Sequence, residues 1–157
     1  MEGLQIASTF LPEKVVAYIT DGGKLLVFQH TRFPEAGIQV PAGTVEEGES
    51  LDEAVLREAW EETGLDNLQI RSYLGVREYD SSASGQSGIQ RRHYFHLALS
   101  GEVPARWRHY EEHPSDGSTE PIEFELFWVK FPDGVPELAG GQGDLLHKLA
   151  LVSGNLS

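Results

Sequence analysis

Between Ser50 and Thr63 the chain contains neither Gly nor Pro, and Ser50 followed three residues later by Glu53 has the form of a capping box. With Gly64 as a stop, this predicts a helix from Ser50 to Gly64. At about 100° per residue, Leu51, Val55, Glu58, Glu62 and Leu65 fall on one stripe, with Ala54 and Glu61 at its margin. An apolar face therefore turns into carboxylates in its second half. Leu56, Ala59 and Trp60 occupy the opposite side, so a helix apolar on two flanks cannot lie fully exposed.

The glutamates break local rules. Glu58 and Glu62 are helical neighbours, with Glu61 in reach of both. Like charges at that spacing repel, desolvation beside a core disfavours their ionised forms, and the helix C-terminus favours cations instead. Concentrated conflict of this kind marks functional sites. A hard divalent cation such as Mg²⁺, held through carboxylate oxygens, is its simplest relief. The competing reading is a solvated acidic face.

Around this helix the pattern is of strands. Lys14 to Thr20 and Lys24 to His30, joined by Asp21-Gly22-Gly23, form an N-terminal hairpin. A short piece, Ile38 to Ala42, carries a proline that places it at an edge or at a strand end. Leu68 to Tyr79 and Ile89 to Leu99 are longer strands flanking a polar Gly/Ser-rich loop over 80–88. Residues 101–121 have three prolines and no period, which predicts a surface insertion. Ile122 to Lys130 alternates like a half-buried strand. Asp144 is placed to cap a final helix, Leu145 to Val152. This order predicts a mixed sheet covered by helices in a single domain over 1–157.

Composition bounds the partners. The chain has 157 residues, no cysteine, and 12 Lys+Arg against 25 Asp+Glu. Thiolate metal sites and thiol nucleophiles are excluded, and a cytoplasmic location is expected. A net charge of −13 repels nucleic acids and anionic membranes, and no apolar run approaches the roughly 20 residues that span a bilayer. An acidic protein still binds phosphates where a cation sits between.

Residues 43–65 read GTVEEGESLDEAVLREAWEETGL. This resembles the signature of the Nudix hydrolase family, with Gly43, Glu49, Arg57, Glu58, Glu61, Glu62 and Gly64 in all seven fixed positions. At roughly 6–7% usage per residue type, chance agreement is on the order of one in 10⁸ per window. The resemblance implies the Nudix fold, an α/β/α sandwich of the α+β class with a mixed sheet, a signature loop-helix-loop and a C-terminal helix. It implies metal ligation by Glu58 and Glu62, with Glu61 as a further ligand or a holder of water. Arg57 would orient the carboxylates, Glu49 would pair with Arg57, and the Gly43 carbonyl would offer another ligand. A glutamate outside the signature is often recruited, and Glu120 and Glu123 are the candidates at the mouth of the final strand.

The activity implied is pyrophosphohydrolysis, dependent on Mg²⁺ or on Mn²⁺, of a nucleotide or a nucleoside diphosphate linked to another group. The substrate is a small molecule rather than nucleic acid, and a homodimer is compatible with the resemblance. The alternative is a regulatory module of similar fold that senses nucleotides without cutting them, and RNA cap removal ranks below both. Subgroup markers are missing: Ser81, Ser82 and Ala83 stand where diadenosine-polyphosphate hydrolases tend to carry tyrosine, and Asp80 where ADP-ribose pyrophosphatases tend to carry proline. Arg32, Phe33 and Arg91 are candidate substrate contacts, against a plain solvent-facing role. Trp107, His109 and Trp128 either close a pocket or pack, and His93 and His96 suggest no metal site. If the helix carboxylates repel one another, Mg²⁺ raises the melting temperature, and Glu58→Gln removes activity while apo stability stays equal or rises. Thermal melts with and without Mg²⁺ check this, and full turnover by the variant would refute the assignment.

Overall fold

The computed structural model describes residues 11–81, 88–112 and 120–152. Seven strands form one sheet: β1 (Glu13–Asp21), β2 (Lys24–His30), β3 (Ala42–Thr44), β4 (Leu68–Asp80), β5 (Ile89–Leu99), β6 (Arg106–Glu111) and β7 (Ile122–Lys130). The order across it is β4-β5-β1-β2-β7-β6, with β3 also paired to β1. The β1–β5 pair is parallel and the other pairs antiparallel, which makes the sheet mixed. Helices α1 (Leu51–Thr63) and α2 (Leu146–Val152) complete the fold. None of the described helices is long and apolar enough to cross a membrane.

β1 and β2 read as near-continuous apolar runs because they are covered on both faces. On one face Val15, Ala17, Ile19, Leu26, Phe28, Phe95 and Leu97 pack with Ala54, Val55 and Ala59 of α1. On the other, Val16, Tyr18, Leu25, Val27 and Tyr94 pack with Leu145 and Leu149. The turn before α2 is pinned to that face by polar contacts. The Tyr18 hydroxyl donates to the Gln142 carbonyl at 2.5 Å, the Tyr94 hydroxyl to that of Gly141 at 3.1 Å, and Gln142 Oε1 accepts from Val40 N–H at 2.8 Å.

The hairpin does not stay closed. β1 and β2 pair only next to the turn, at Thr20↔Leu25 and Asp21↔Lys24. Beyond that, the segment around Gln39 to Thr44 enters between them, with Gln39 bonded to Phe28, Pro41 to Ala17, and Lys14, Val15 and Val16 paired with β3. The expected piece Ile38 to Ala42 thus bridges its neighbours singly, and the strand proper begins where that piece ends. The consequence is functional: Gly43 lies at the centre of the sheet, under α1.

Two other expectations change. The segment over 101–121 contains β6, whose alternation went unrecognised because its inward residues are Trp107, His109 and Glu111 rather than aliphatics. The last helix begins at Leu146, one residue later than expected. α1 starts and ends as its caps dictate: Ser50 Oγ accepts from Glu53 N–H, Glu53 returns the bond, and Gly64 takes the left-handed conformation at φ 81°. The polar loop over 80–88 lies largely outside the described residues, and Ser81 closes it by bonding Gly88.

Leu149 is fully buried and joins α2 to the sheet. Leu149→Ala is expected to cost about 2–4 kcal/mol by leaving a cavity, measurable as a lower midpoint in urea unfolding.

Candidate active site

α1 brings its carboxylates to β3, the strand wedged between β1 and β2, because the apolar half of its stripe packs on the sheet and carries the acidic half inward with it. The loop before α1 folds back through Gly48, in the left-handed region at φ 80°, with Glu46 N–H donating to Glu49 Oε1 at 2.9 Å. Glu49 thereby meets Arg57. Arg57 Nε donates to Glu49 Oε2 at 2.6 Å and Nη2 to Glu49 Oε1 at 2.9 Å, a bidentate pair. The same guanidinium donates to Glu58 Oε1 at 2.8 Å, to Glu61 Oε1 at 3.0 Å and to the Thr44 carbonyl at 2.9 Å. One side chain therefore orients three carboxylates and ties α1 to β3.

Gly43 has a steric reason to be glycine. A Cβ there would overlap the carboxylate of Glu58. Glu62 Oε1 accepts from Ala42 N–H at 2.9 Å, so the wedge strand also positions the second acid. Glu58 and Glu62 are 4% and 8% exposed.

Burial raises both acids. Glu58 is pushed up to about 7 by desolvation, which outweighs the stabilising Arg57, with Glu61 and Glu46 adding repulsion. Glu62 lies well above the ordinary carboxylate range, again through burial first and then through the charges of Glu111 and Glu58. Hydrogen bonding from Arg57 lowers Glu49, and Arg57 is raised in turn.

The glutamate brought in from outside the signature is Glu111, not Glu120 or Glu123. Carboxylate oxygens of Glu58, Glu62 and Glu111 lie within 4.8 Å of one another, and Glu111 is 4% exposed. Glu120 is exposed, while Glu123 accepts from the Thr31 hydroxyl at 2.7 Å and is held below the usual range by that bond and by Tyr110. Glu111 escaped sequence reasoning because its strand did. Its placement rests on two bonds to the last turn of α1, where carbonyls lack helical partners. Trp107 Nε1 donates to the Thr63 carbonyl and His109 Nε2 to that of Glu61, each at 2.9 Å. The inward alternation of Trp107 and His109 in β6 then carries Glu111 to the acids.

This donor set suits a hard cation. It consists of carboxylate oxygens only, and Glu58 Oε2 is buried without a hydrogen-bond partner among the described residues. An unpaired buried carboxylate oxygen is costly unless a cation compensates it.

Arg32 and Phe33 are exposed, Phe33 meets the His30 ring edge-on at 4.9 Å, and the charge of Arg32 reaches Tyr110 and Glu123. Arg91 is paired with Glu13 at 3.0 Å, and Glu13 also bonds His93 at 2.5 Å. Trp128 donates to the Pro104 carbonyl, a packing role, and His96 bonds Thr20.

A helix on each face of a mixed sheet, with the acids of one helix gathered over a central glycine, is the architecture of a Nudix fold. The NUDIX domain model matches residues 11–149, and the chain belongs to the Nudix hydrolase family. It is 40% identical over 83 residues to low-salt glycan biosynthesis protein Agl8 of Haloferax volcanii, a match covering 53% of this chain and 51% of that protein. It is 37% identical over 65 residues to the NAD-capped RNA hydrolase NudC of Vibrio atlanticus, covering 41% of this chain and 24% of that one. The matches thus span about half and about a quarter of those relatives. The crystal structure of a UDP-X diphosphatase shares the fold with a TM-score of 0.61 at 19% identity, over 99% of this chain and 73% of the other.

The raised acids set a pH dependence. A carboxyl raised in the folded state binds more protons folded than unfolded, so its contribution to stability falls as pH rises from the unfolded value towards the folded one. Removing that charge should matter at high pH only. Glu62→Gln without added metal is expected to melt close to wild type near about pH 4 and increasingly above it as the pH rises, because only the wild type then holds a buried charge. Thermal melts across pH measure the difference, and one independent of pH would contradict it.

Proposed function

We propose that this chain is a Mg²⁺-dependent hydrolase that cleaves a phosphoanhydride bond in a nucleotide or a nucleoside-diphosphate-linked metabolite. The observation that carries this reading is the convergence of Glu58, Glu62 and Glu111 beside an Arg57 that already orients Glu58 and Glu61. Family membership supports it. So do the names of two compared proteins, a diphosphatase and a capped-RNA hydrolase.

Glu58, Glu62 and Glu111 would hold the cation, with Mn²⁺ as an alternative, and the Gly43 carbonyl is the further ligand that the family resemblance implies. When bound, the cation supplies charge neutralisation for the phosphates and lowers the pKa of water. Arg57 keeps Glu58 and Glu61 aimed, and Glu49 keeps Arg57 in place through its bidentate pair. Water attacks phosphorus, the anhydride P–O bond breaks, and the freed phosphate takes the bonding electron pair. Glu61 or Glu111 accepts the proton from the water. Glu61 suits this role because it is more open to solvent than Glu58 or Glu62. A bulk net charge of −13 keeps polyanions away, which favours small substrates.

A nucleotide panel with Mg²⁺ and product analysis by mass tests the reading. Release of a nucleoside monophosphate or phosphate is expected, and binding without release would favour a sensing module. Glu111→Gln should lower kcat at least about 100-fold, on the scale of a lost catalytic group, while Glu123→Gln should stay within about threefold. Equal activity of the two variants would remove Glu111 from the site.

A further inference from the structure

Arg91, a candidate substrate contact, is taken up by Glu13. Alternation along β5 sends its neighbour Arg92 to the opposite face of the sheet, the one that α2 covers in part. There the strand register lines up charges. Thr44 of β3 is opposite Lys14 of β1, Lys14 is opposite Arg92 of β5, and Arg92 is opposite Arg77 of β4. Three bases thus stand side by side on one rung of the sheet. Lys14 and Arg92 are half-buried and Arg77 is exposed.

Like charges directly opposite each other destabilise a sheet, and a chain with 25 acids against 12 bases has carboxylates to spare. A neighbouring carboxylate is the ordinary remedy, as Glu13 is for Arg91 and Glu125 for Arg106. Among the described residues none of the three bases has an ion-pair partner. Asp144 acts on Tyr18 and Tyr94 of this face without pairing with the bases. Lys14 is held below the ordinary lysine range, by burial first and then by the charge of Arg92.

Neutral groups fix the side chains instead. Arg92 lies over the Tyr79 ring, its guanidinium carbon 3.8 Å from the centroid, and donates to Gln90 Oε1 at 3.1 Å and to the Gly140 carbonyl. Lys14 Nζ donates to the Thr44 hydroxyl at 2.5 Å. These contacts hold two cations in place and leave their charge uncompensated. A guanidinium and an ammonium so arranged match a phosphoryl group, whose oxygens accept several charge-assisted hydrogen bonds at once. The rung also touches the acid centre from behind. Thr44, next to Gly43, takes the Lys14 bond on its hydroxyl and the Arg57 bond on its carbonyl.

We propose that Lys14 and Arg92, with Arg77 at the rim, form a phosphate-binding site on the α2 face of the sheet. The site stands on its own geometry and not on the hydrolase reading. Its ligand is a phosphoryl group, carried either by the substrate of the acid centre or by a separate molecule.

The probe is inorganic phosphate, titrated without metal into ¹⁵N-labelled protein at an ionic strength held constant with NaCl. Saturable shifts are expected in the backbone amides of Lys14, Arg77 and Arg92 and in the Arg92 Nε–H signal, identified by its loss in Arg92→Gln, while the amides of Arg106 and Arg108 stay fixed. Lys14→Met and Arg92→Gln should each weaken binding at least about tenfold, the scale of a lost charge-assisted hydrogen bond. Arg77→Gln changes an exposed side chain and should weaken it about threefold, which keeps the site testable even where the other two variants fold poorly. Lys14→Met relieves repulsion along the rung, so in phosphate-free buffer it should melt no lower than wild type, and it should lose the rise in melting temperature that phosphate gives. Shifts that are absent, that follow ionic strength alone, or that survive in all three variants would overturn the site. Competition of phosphate with a cleaved nucleotide, together with a raised KM in Lys14→Met, would assign the phosphoryl group to the substrate. A change in kcat without competition would assign it to a separate molecule. Failure of every nucleotide to be cleaved would refute the hydrolase reading and leave the phosphate shifts standing.

Discussion

Arg57 is the group on which the arrangement of the acids depends. Its guanidinium holds Glu49, Glu58 and Glu61 together with the Thr44 carbonyl, so a single positive charge joins the loop before α1, the helix itself and the wedge strand. Without it, the carboxylates would repel one another at helical spacing. The bond from a delocalised planar cation to two oxygens of Glu49 also fixes the direction of the remaining donors. Lysine, a single point charge, would not do this.

One cation is not enough, and the imbalance is informative. Desolvation still wins at Glu58 despite the Arg57 bond, and at Glu62 it is reinforced by Glu111. The protein stores unfavourable electrostatics at one place and stabilises it with two packed cores elsewhere. Such a site is stable enough to form and still short of positive charge. That shortage is the physical basis of the cation requirement proposed for this chain, and under that reading it reconciles an acidic chain with a phosphate-bearing ligand. The local charge explains the global one: eight acids and one base lie between Gly43 and Leu65, a share of −7 in the total of −13.

Local rules made much of this legible. The capping box and Gly64 set α1 to within a residue, and the spacing of Glu58, Glu61 and Glu62 announced conflict before any fold was known. The signature placed Gly43, Glu49 and Arg57 beside them. β6 was not legible, because a strand that presents Trp107, His109 and Glu111 inward lacks the aliphatic alternation by which strands are recognised. The half-exposed state of Trp60 has a related reason: helical periodicity finds an apolar flank but says nothing about which of its residues another element covers.

What the chain determined by itself is what depends on near neighbours: the caps of α1, the clustering of its acids, the choice of glycine at the turn, and the sign of the charge. Tertiary structure decided which distant residues meet those acids. The opening of the hairpin around Gln39 to Thr44 places Gly43 where the Glu58 carboxylate needs room, and the Trp107 and His109 bonds to orphan helix carbonyls deliver Glu111 rather than Glu123. Those outcomes depend on strand order and register. Both are set by the packing of whole faces, which no local stretch of sequence contains.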